Sequence, residues 1–598
     1  MMEWVKKHCL LVSFIGSFFC TIGLSQNYII RRGPLFDTNS LLCFISFFLL
    51  VAFFRFVILN YKKREILCSI LSGLILSVCY RVGTEFSVTK DINFKSLSLY
   101  YTILIIFILF TLLIATLLHY KQRIIEVFNK IKIPEKINMI FSNEKSYWYI
   151  FGLIIIMWIP AFLAVFPGIY SYDAGPQVLQ IFGGQGLSAH HPVIHTLLLD
   201  GCFYIGNLIF GNYNVGLMFY TIIQMIIMAL CFAYAVNIIK KYKLPIWVEI
   251  CALLFFGLSP INQVWVLLTT KDTIYAGFLL VLFVETIDIF IDTDAFFSSK
   301  YKLVRYVAIS VLMCLFRNQG IYIYIVLIPF MVFSIKKYRK KVLLIMVVSV
   351  IFVKTITGPI SSMCGLAPAN PREALSVPIQ QIARVMNLKP EVVTEKEKKI
   401  IYKYLPEENI VAYNPVTSDF VKEGFNQEYF KKNPKPFFEV WFSLLKKEPT
   451  MFIDSFLFGS YGYFYMDESP YWITYILFDG AWLTDEYNIL NIKRNSLFPL
   501  YEKYLRKVSV DLVQEKIPVL SIILNEAFPF WVCIVALAIL MYNKKWKLLI
   551  PLLIVIGFWG TTLLGPLIAI RYAFPIIVCI PTMFMLMVYD DKKEKNNG

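Results

Sequence analysis

Apolar runs of helical length recur along the whole chain, from residue 8 to residue 588. The run LLCFISFFLLVAFFRFVIL at residues 41–59 is almost continuously apolar, and a stretch of this length predicts a transmembrane helix, whereas a transmembrane β-strand would alternate apolar and polar residues. Of the 598 residues, 58% are hydrophobic and only 16% are charged, which is more apolar side chain than water-soluble cores can bury. The sequence therefore predicts an all-α polytopic membrane protein. It excludes a soluble enzyme, a secreted disulfide scaffold and a disordered chain.

The basic residues form short clusters between the apolar runs, for example at residues 62–64, 240–241 and 336–341. Such clusters are typical of cytoplasmic loops, so the net charge of +17 indicates membrane topology rather than a nucleic-acid surface. The 12 cysteines are scattered singly, without metal-ligand spacing. We expect a multi-pass protein of the cell (plasma) membrane with both termini in the cytoplasm, the lipid bilayer as a partner, and no nucleic acid.

Span lengths and the basic clusters together predict about 14 transmembrane helices. They are expected near residues 8–29, 40–59, 66–82, 99–118, 148–166, 214–239, 245–261, 273–291, 304–316, 320–335, 342–359, 518–542, 548–566 and 568–588. The run at 191–210 is also long enough to span, but a span there would put Lys240 and Lys241 outside. We therefore expect it to be an amphipathic helix on the outer surface.

This topology divides the chain into four parts. Residues 1–147 are expected to hold amino-terminal transmembrane helices and a basic cytoplasmic loop, and residues 148–359 a membrane core whose first outer loop is 167–213. Residues 360–516 are less apolar and predict a mostly helical extracytoplasmic domain, and residues 517–598 form the carboxyl-terminal transmembrane helices. Cys364 is the one cysteine of the third part, so helix packing must hold that domain together.

Four groups of polar residues are expected at the outer membrane face, where ionisable side chains are costly and are therefore candidates for function. Each group also has a structural interpretation: Asp272 as a helix N-cap, the His-Pro step as a turn, and Arg571-Tyr572 as an interfacial anchor. The groups are Asp173; His190, His191 and Pro192 with His195 one helical turn on; Lys271 and Asp272; and Arg317 and Gln319 with Arg571 and Tyr572. Their common location favours one extracytoplasmic site.

A carboxylate bordered by His, Lys and Arg at the bilayer edge suits a lipid substrate with an anionic headgroup, such as a polyprenyl-phosphate sugar. Glycosyl transfer needs a base for the acceptor hydroxyl, a role that Asp173 could fill. It also needs positive charge at the departing phosphate, which Lys271, Arg317, Arg571 or a divalent cation could supply. We expect His190, His191, Asp272, Gln319 and Tyr572 to join these cations in binding substrate.

The order of these elements resembles the GT-C superfamily of membrane glycosyltransferases. It is most similar to the protein O-mannosyltransferase and aminoarabinose-transferase branch, in which an acidic loop residue precedes a (His/Lys)-Pro-Pro motif. The matching residues are Asp173, His191-Pro192 and Thr270-Lys271-Asp272, within residues 148–340. The chain departs from the branch at Ala174, where a second acidic residue is common, and at Val193, which replaces the second proline.

The resemblance implies a GT-C-like core and an inverting glycosyl transfer in which Asp173 acts as the base or orients the substrate. The donor would be a polyprenyl-phosphate-linked sugar and the acceptor a glycopolymer, lipid or protein of the cell envelope. No cofactor is required by the pattern. If the reaction uses a divalent cation such as Mg²⁺ or Mn²⁺, the expected ligands are Asp173, Asp272 or His191.

Two other functions stay open at the sequence level. One is a flippase or transporter for envelope lipids, which would place charges at the bilayer midplane and show paired repeats. The other is an O-antigen-type polymerase or ligase, which would depend on arginines in residues 360–516. Within that segment, the amphipathic stretch 372–387 predicts a helix that either docks on the membrane core or uses Gln380, Gln381 and Arg384 to bind sugar or acceptor.

Overall fold

A computed structural model describes residues 2–26, 33–171, 173–242, 244–367, 371–466 and 486–589. In these residues all regular elements are helices, and extended segments pair only at isolated bridges. Nine helices of the described chain are long and apolar enough to cross a membrane, as judged by length and composition. The protein is therefore an all-α, multi-pass membrane protein, as the sequence predicts. The figure of about 14 spans stays a prediction.

The described residues of the amino-terminal part form six helices, and the long α4 and α5 pack along each other as a hairpin. They are α1 (Met2–Lys7), α2 (Cys9–Gln26), α3 (Leu41–Asn60), α4 (Lys63–Thr89), α5 (Leu97–Asn129) and α6 (Glu135–Ser142). Gly73 allows the close approach of the hairpin, because a Cβ at this position would lie 2.9 Å from the backbone nitrogen of Thr111. The end of the predicted span 8–29 lies outside the described residues.

The central part contains twelve helices arranged around one buried helix, α13. They are α7 (Ser146–Ala164), α8 (Ala174–Ile181), α9 (Val193–Phe210), α10 (Tyr213–Lys241), α11 (Ile246–Leu258), α12 (Pro260–Trp265), α13 (Lys271–Ile291), α14 (Thr293–Ser298), α15 (Lys300–Phe316), α16 (Gly320–Ser334), α17 (Arg339–Thr355) and α18 (Ser361–Met363). Every residue of α13 from Asp272 to Ile289 is buried. A helix that is apolar all round and covered on all sides is the expected centre of a membrane bundle.

Ion pairs anchor α13 at its Ile291 end. Asp288 bonds to Lys241, to Tyr242 and, at 3.0 Å, to Lys302, and Glu285 pairs with Arg305 at 2.6 Å. These contacts connect α13 to α10 and α15 and include the basic residues that the sequence assigns to the cytoplasm. Asp272, at the other end of α13, is about 24 Å from Asp288 at 1.5 Å per residue.

The helix α9, predicted to lie on the outer surface, packs against the first part of α10. His195 Nε2 lies 2.7 Å from Tyr220 Oη, and a Cβ on Gly206 would lie 2.2 Å from the backbone nitrogen of Gly216. Both contacts are far from Lys241, at the opposite end of α10. By length and composition α9 is also one of the nine candidate spans, so its surface location stays a prediction.

Residues 371–458, here called the insert, form a helical unit with its own hydrophobic core. Its helices are α19 (Ser376–Leu388), α20 (Glu395–Ile401), α21 (Glu407–Val411), α22 (Asp419–Glu423), α23 (Gln427–Lys432), α24 (Pro434–Lys447) and α25 (Pro449–Phe458). Buried apolar residues from Leu375 to Phe452 make up this second core, separate from that of the membrane helices. The predicted amphipathic helix at 372–387 is present as α19, preceded by a 3-10 turn at Pro371–Leu375.

The carboxyl-terminal helices return to the membrane core. They are α26 (Pro499–Ser509), α27 (Pro518–Ile523), α28 (Phe528–Tyr542), α29 (Leu549–Thr562), α30 (Ile570–Ile577) and α31 (Ile580–Val588). The prediction of a single helix at 518–542 is wrong, because a turn in which Asn525 Oδ1 accepts from Ala527 N separates α27 from α28. The predicted span at 568–588 is present as Ile570–Val588, one of the nine candidate spans. A two-residue turn at 578–579 divides it into α30 and α31, just before Pro581, which has no backbone N–H to donate to the preceding turn.

Candidate functional site

A short backbone pairing brings the Asp173 group and the Lys271-Asp272 group together. Ile169 N donates to Leu267 O at 2.9 Å, and Thr269 N donates to Ile169 O at 3.0 Å. These bonds align the loop that leads to Asp173 with the segment that leads to Lys271. As a result, the amino-terminal ends of α8 and α13 lie side by side.

Asp173 occupies the N-cap position of α8, but its side chain makes no capping hydrogen bond. Its Oδ2 instead accepts from Lys271 Nζ at 2.6 Å and from Arg571 Nη2 at 2.9 Å. Two cations from different helices therefore hold this carboxylate. Such an arrangement differs from an ordinary cap, in which the carboxylate would bond to the backbone of its own helix.

Asp272 is fully buried in the first turn of α13 and is also held by two cations. Its Oδ1 accepts from Arg317 Nη1 at 2.7 Å, and its Oδ2 accepts from Nη2 of Arg571 at 2.9 Å. The N-cap of α13 is Thr270, not Asp272. The N-cap interpretation of Asp272 is therefore wrong, because the neighbouring threonine caps the helix and leaves the carboxylate for the arginines.

The two histidines of the His-Pro step differ in their surroundings. His191 is buried, and its Nδ1 lies 3.2 Å from Lys271 Nζ and 3.7 Å from Asp173 Oδ2. His190 is exposed beside it, with the two ring centroids 4.6 Å apart. The step therefore does more than turn the chain before Pro192, because it places one imidazole in the ionic cluster.

Aromatic rings surround the guanidinium of Arg317. Its carbon lies 5.7 Å from the Tyr275 ring centroid, 5.1 Å from that of Phe558 and 5.5 Å from that of Tyr572. Arginine packs favourably on such rings, the more so when desolvated. The Nε of Arg317 donates to Gln319 Oε1 at 2.5 Å, so both predicted residues after α15 belong to the site.

Arg571 and Tyr572 are not only an interfacial anchor. Arg571 bonds to both carboxylates, and Tyr572 packs on the guanidinium groups of Arg571 and Arg317, with its ring centroid 5.1 Å from the Arg571 carbon. All the predicted groups thus meet in one place. We call the set Asp173, His191, Lys271, Asp272, Arg317 and Arg571 the ionic cluster.

The electrostatics of the ionic cluster keep Asp173 ionised. Burial by itself would raise the pKa of Asp173, but the charges of Arg571 and Lys271 outweigh it and hold the pKa well below the usual range. Burial and the neighbouring Lys271 lower the pKa of His191 to about 3, so this imidazole is neutral at physiological pH. Two carboxylates against Lys271, Arg317 and Arg571 leave one unit of positive charge to attract an anion.

A buried hydrogen-bonded chain lies behind the ionic cluster, and of its members only His195 was a candidate at the sequence level. Gln177 contacts His195 Nδ1, His195 Nε2 contacts Tyr220 Oη at 2.7 Å, and Tyr220 Oη donates to Gln224 Oε1 at 2.8 Å. Gln224 Nε2 then donates at 2.8 Å to the carbonyl oxygens of Val266 and Leu268. The chain connects α8, α9 and α10 to the segment before Lys271. In the sequence, this chain is indicated by polar side chains inside apolar helices, because such side chains are rare there unless they are hydrogen-bonded.

The residues present do not fit a divalent cation. Asp173 and Asp272 are the carboxylates of the ionic cluster, and both are already bonded to cationic side chains. In the described part of the chain, no three His, Cys, Asp or Glu side chains come together as a possible ligand set. Coordination of Mg²⁺ or Mn²⁺ normally draws on oxygen ligands that are free of ammonium and guanidinium partners.

The three insert residues considered for sugar binding all bond within the insert, Gln380 through its Nε2 to the carbonyl oxygens of Asn414 and Thr417. Gln381 Nε2 donates to Phe452 O at 3.0 Å and its Oε1 accepts from Trp441 Nε1 at 2.9 Å. Arg384 donates to Tyr413 Oη at 3.1 Å. These contacts hold α19 to its neighbours, whereas Gln380 keeps one oxygen without a bond to the described residues.

The insert and the segment before it each make a backbone contact near the ionic cluster. Ala189 N, just before His190, donates to Ala367 O of the preceding segment at 2.8 Å, and Ser418 N of the insert donates to Pro566 O at 3.1 Å. The second contact is with the segment that runs into Arg571. The insert itself is thus attached on the Arg571 side of the site.

These features define an all-α membrane protein with a buried ionic cluster at one end of its central helix. The chain belongs to the family of unknown function DUF6020, whose family model matches residues 183–598. The match includes every residue of the ionic cluster except Asp173, which precedes it. No curated protein and no solved structure matches the chain.

Proposed function

We propose that the protein is a membrane glycosyltransferase of the GT-C type. It moves a sugar from a polyprenyl-phosphate donor to an acceptor of the cell envelope, which is a glycopolymer, a lipid or a protein. The active site is the ionic cluster, and it faces the outside of the plasma membrane. The observation that carries the proposal is the meeting of Asp173 with Lys271, Arg317 and Arg571 at the end of apolar helices.

The cluster suits a substrate whose phosphate lies at the bilayer edge while its hydrocarbon tail stays in lipid. Exposed apolar side chains lie on helices around the site, among them Tyr204 and Leu208 of α9. Three fixed cations within reach of each other can bind and stabilise a phosphate. A water-soluble nucleotide sugar would not need this combination of apolar surface and buried charge.

In the transfer, the acceptor hydroxyl oxygen bonds to the anomeric carbon while the bond from this carbon to the phosphate oxygen breaks. The electron pair of the broken bond leaves with the phosphate, whose added charge Lys271 and Arg571 stabilise. Asp173 takes the proton of the acceptor hydroxyl. Polyprenyl phosphate and the glycosylated acceptor are the products.

The resting bonds of Asp173 indicate how the donor would activate it. With Lys271 and Arg571 bound to it, the carboxylate has a low pKa and is a weak base. An entering phosphate competes for the same two cations. As they turn toward the phosphate, the pKa of Asp173 rises and its strength as a base increases.

The outward orientation rests on the distribution of charge along α13. Lys241, Lys302 and Arg305 lie at the end opposite to the ionic cluster. Basic residues are enriched on the cytoplasmic side, which supports an extracytoplasmic cluster and two cytoplasmic termini.

The positions of charge within α13 favour this function over a lipid transporter. From Thr273 to Val284 the helix carries no charged residue, and its ionisable groups are confined to the two ends. Transporters place such groups near the midplane. The polymerase or ligase alternative relies on arginines of residues 360–516, and of these Arg384 bonds to Tyr413 within the insert and not to the ionic cluster.

The test is sugar transfer or release in proteoliposomes that contain labelled polyprenyl-phosphate sugars. We expect the wild type to turn over at least one donor and Asp173→Asn to lose about 10²- to 10⁴-fold in rate, as for the loss of a general base. Asp294→Asn is the matched control, because Asp294 forms an exposed ion pair with Lys337 away from the cluster. Full activity of Asp173→Asn, or movement of intact lipid between leaflets without turnover, would contradict the proposal.

A further inference from the structure

The hydrogen-bonded chain behind the ionic cluster has a direction that its last bonds determine. Gln224 Nε2 donates to the carbonyl oxygens of Val266 and Leu268, both at 2.8 Å. Its Oε1 is therefore the atom that accepts from the Tyr220 hydroxyl, at 2.8 Å. The single proton of this hydroxyl is used in that bond. The Tyr220 oxygen can thus only accept from its other neighbour, His195.

This direction fixes the tautomer of His195. Its Nε2 lies 2.7 Å from Tyr220 Oη and carries the hydrogen, because the Tyr220 oxygen is an acceptor. His195 is fully buried, which disfavours the charged imidazole, and the neutral ring has only one N–H. Nδ1 is therefore an acceptor and receives the bond from Gln177 Nε2 at 3.0 Å. The second hydrogen of Gln177 Nε2 goes to Thr196 Oγ1 at 2.9 Å.

The two ends of the hydrogen-bonded chain reach the elements that carry Asp173 and Lys271. Gln177 lies in the first turn of α8, where its backbone nitrogen donates to the Asp173 carbonyl oxygen at 3.0 Å. At the other end, Leu268 O also accepts from the backbone nitrogen of Thr270 at 2.8 Å, and Thr270 is the N-cap of α13. The chain thus links the helix end of Asp173 to the helix that begins with Lys271.

The same chain supports the backbone pairing that aligns these two helix ends. Ile169 N donates to Leu267 O, and Thr269 N donates to Ile169 O. The carbonyl oxygens that Gln224 holds belong to the residues on either side of Leu267. The segment before Lys271 is therefore held by Ile169 through one set of atoms and by Gln224 through another.

The contact that depends on this alignment is the bond from Lys271 Nζ to Asp173 Oδ2 at 2.6 Å. Both side chains are partly accessible to solvent, whereas the four side chains of the hydrogen-bonded chain are fully buried. Catalytic groups keep their geometry when buried hydrogen bonds behind them fix the elements on which they stand. The front contact between the ionised groups is thus supported by a rigid contact at the back.

We propose that His195 is a positioning residue that sets the contact between Asp173 and Lys271. It lies behind the ionic cluster and acts through Gln177 and Tyr220, without touching the substrate. The inference rests on the proposed function, since the contact matters because Asp173 is the base for the acceptor hydroxyl. An imidazole suits this role because it joins an acceptor and a donor through one rigid ring.

Two variants break the hydrogen-bonded chain at neighbouring bonds, so the test does not depend on the folding of one of them. His195→Leu removes both ring nitrogens, and Tyr220→Phe removes only the hydroxyl that joins His195 to Gln224. Tyr234→Phe is the matched control. Tyr234 also lies on α10 and donates to Glu285 Oε1 at 2.7 Å, but it does so at the end of α13 opposite to the ionic cluster.

The first measurement is amide hydrogen exchange of the full-length protein in detergent, read by mass spectrometry at single-residue resolution. The reporters are the backbone amides of Ile169 and Thr269, which form the pairing. We expect both to exchange about 5- to 10-fold faster in the two chain variants, the effect of losing one buried hydrogen bond. The control should exchange as the wild type does. This measurement needs no substrate and no turnover.

The second measurement is the pH dependence of kcat/KM in the transfer assay. A weaker contact with Lys271 raises the pKa of Asp173, so the acid limb of both chain variants should move to higher pH. The control should keep the limb of the wild type. A loss of stability alone would lower the amount of active enzyme without moving the limb. The other groups that act on Asp173, Arg571 and His191, are the same in all variants.

Wild-type exchange of both reporter amides in the two chain variants would overturn the proposal. An equal acceleration in the control would do so as well, because the loosening would then be general. Faster exchange with an unmoved acid limb would also reject it, since His195 would then serve the fold alone. Faster exchange confined to the chain variants, without transfer from any donor, would retain the positioning role of His195 and reject the glycosyltransferase.

Discussion

Asp173 and Asp272 share a single nitrogen atom: Nη2 of Arg571 lies 2.9 Å from an oxygen of each carboxylate. The two aspartates come from different elements, a loop before α8 and the first turn of α13. Arg571, at the start of α30, therefore fixes the distance between them. The Nε of Arg571 also donates to Asp272 Oδ2 at 3.1 Å, so the planar guanidinium uses two of its donors to set its orientation between the carboxylates.

This bridge predicts that Arg571→Lys impairs transfer although it conserves the charge. The ammonium of lysine is a point charge on a flexible stem and would not hold both carboxylates in the same geometry. We expect kcat/KM to fall by about 10²- to 10³-fold, similar to the loss of one preorganised electrostatic contact. The measurement is the proteoliposome assay with a saturating and a limiting donor concentration.

The matched control for this variant is Arg305→Lys. Arg305 forms an ion pair of the same kind with Glu285 at 2.6 Å, but at the opposite end of α13. It should retain most of the activity. Equal losses in both variants would mean that Arg571 only stabilises the bundle.

Replacement of Lys271 should change the pH dependence of the reaction. In the wild type, Arg571 and Lys271 overcome the effect of burial and keep the pKa of Asp173 well below the ordinary carboxyl value of 3.8. Deprotonated Asp173 is the active form of the free enzyme, so kcat/KM should show no acid limb from this group above that pH. Lys271→Gln removes one of the cations, and the acid limb should move to higher pH.

Lys271→Arg is the control for the pH profile, since it keeps a positive charge beside Asp173. It should retain the acid limb of the wild type even if its maximal rate is lower. The shape of the profile, and not its height, is the readout. The same acid limb in Lys271→Gln and Lys271→Arg would contradict the assignment of Asp173 as the titrating base.

Removal of divalent cations should leave transfer unchanged. The carboxylates Asp173 and Asp272 are bonded to Lys271, Arg317 and Arg571, and the described residues contain no cluster of metal ligands. We expect equal rates with and without EDTA. A loss of activity that Mg²⁺ or Mn²⁺ restores would show that the cations of the cluster move aside for a metal.

Loss of the Tyr220 hydroxyl should destabilise the protein. Tyr220→Phe would leave His195 Nε2 and Gln224 Oε1 without their buried partner. We expect the free energy of unfolding to fall by about 1 kcal/mol, measured as a lower midpoint of thermal unfolding in detergent. Tyr301→Phe is the control, because its side chain is 71% exposed, and an equal decrease in both variants would contradict a role for the buried chain.

Much of the membrane architecture could be predicted from hydropathy alone. Helices such as α3 and α10 can be predicted without knowledge of their neighbours. In lipid the backbone must satisfy its own hydrogen bonds, so an apolar run of sufficient length forms a helix. The interruptions at Asn525 and before Pro581 were not predicted, since a turn of a few residues hardly changes the mean hydropathy of a window.

The candidate site was predictable as a set of residue types but not as a geometry. Charged side chains near the predicted ends of apolar helices pointed to Asp173, Lys271 and Arg571, because such residues are costly unless they are satisfied. Their partners could not be predicted, since Arg571 is almost four hundred positions after Asp173 and hydropathy does not specify which helices are neighbours. Asp272 was equally plausible as a cap until Thr270 was seen in that position.

By itself, the sequence determined the class of the protein and the approximate spans. It also determined which ionisable residues are expected at the membrane edge, where an unpaired charge is costly. The tertiary structure alone decided that these residues meet and that Arg571 bridges two carboxylates. The physical reason is the range of the interactions. Hydrophobic length and helix formation are local properties of the chain, whereas ion pairs and buried polar contacts depend on which distant segments pack together.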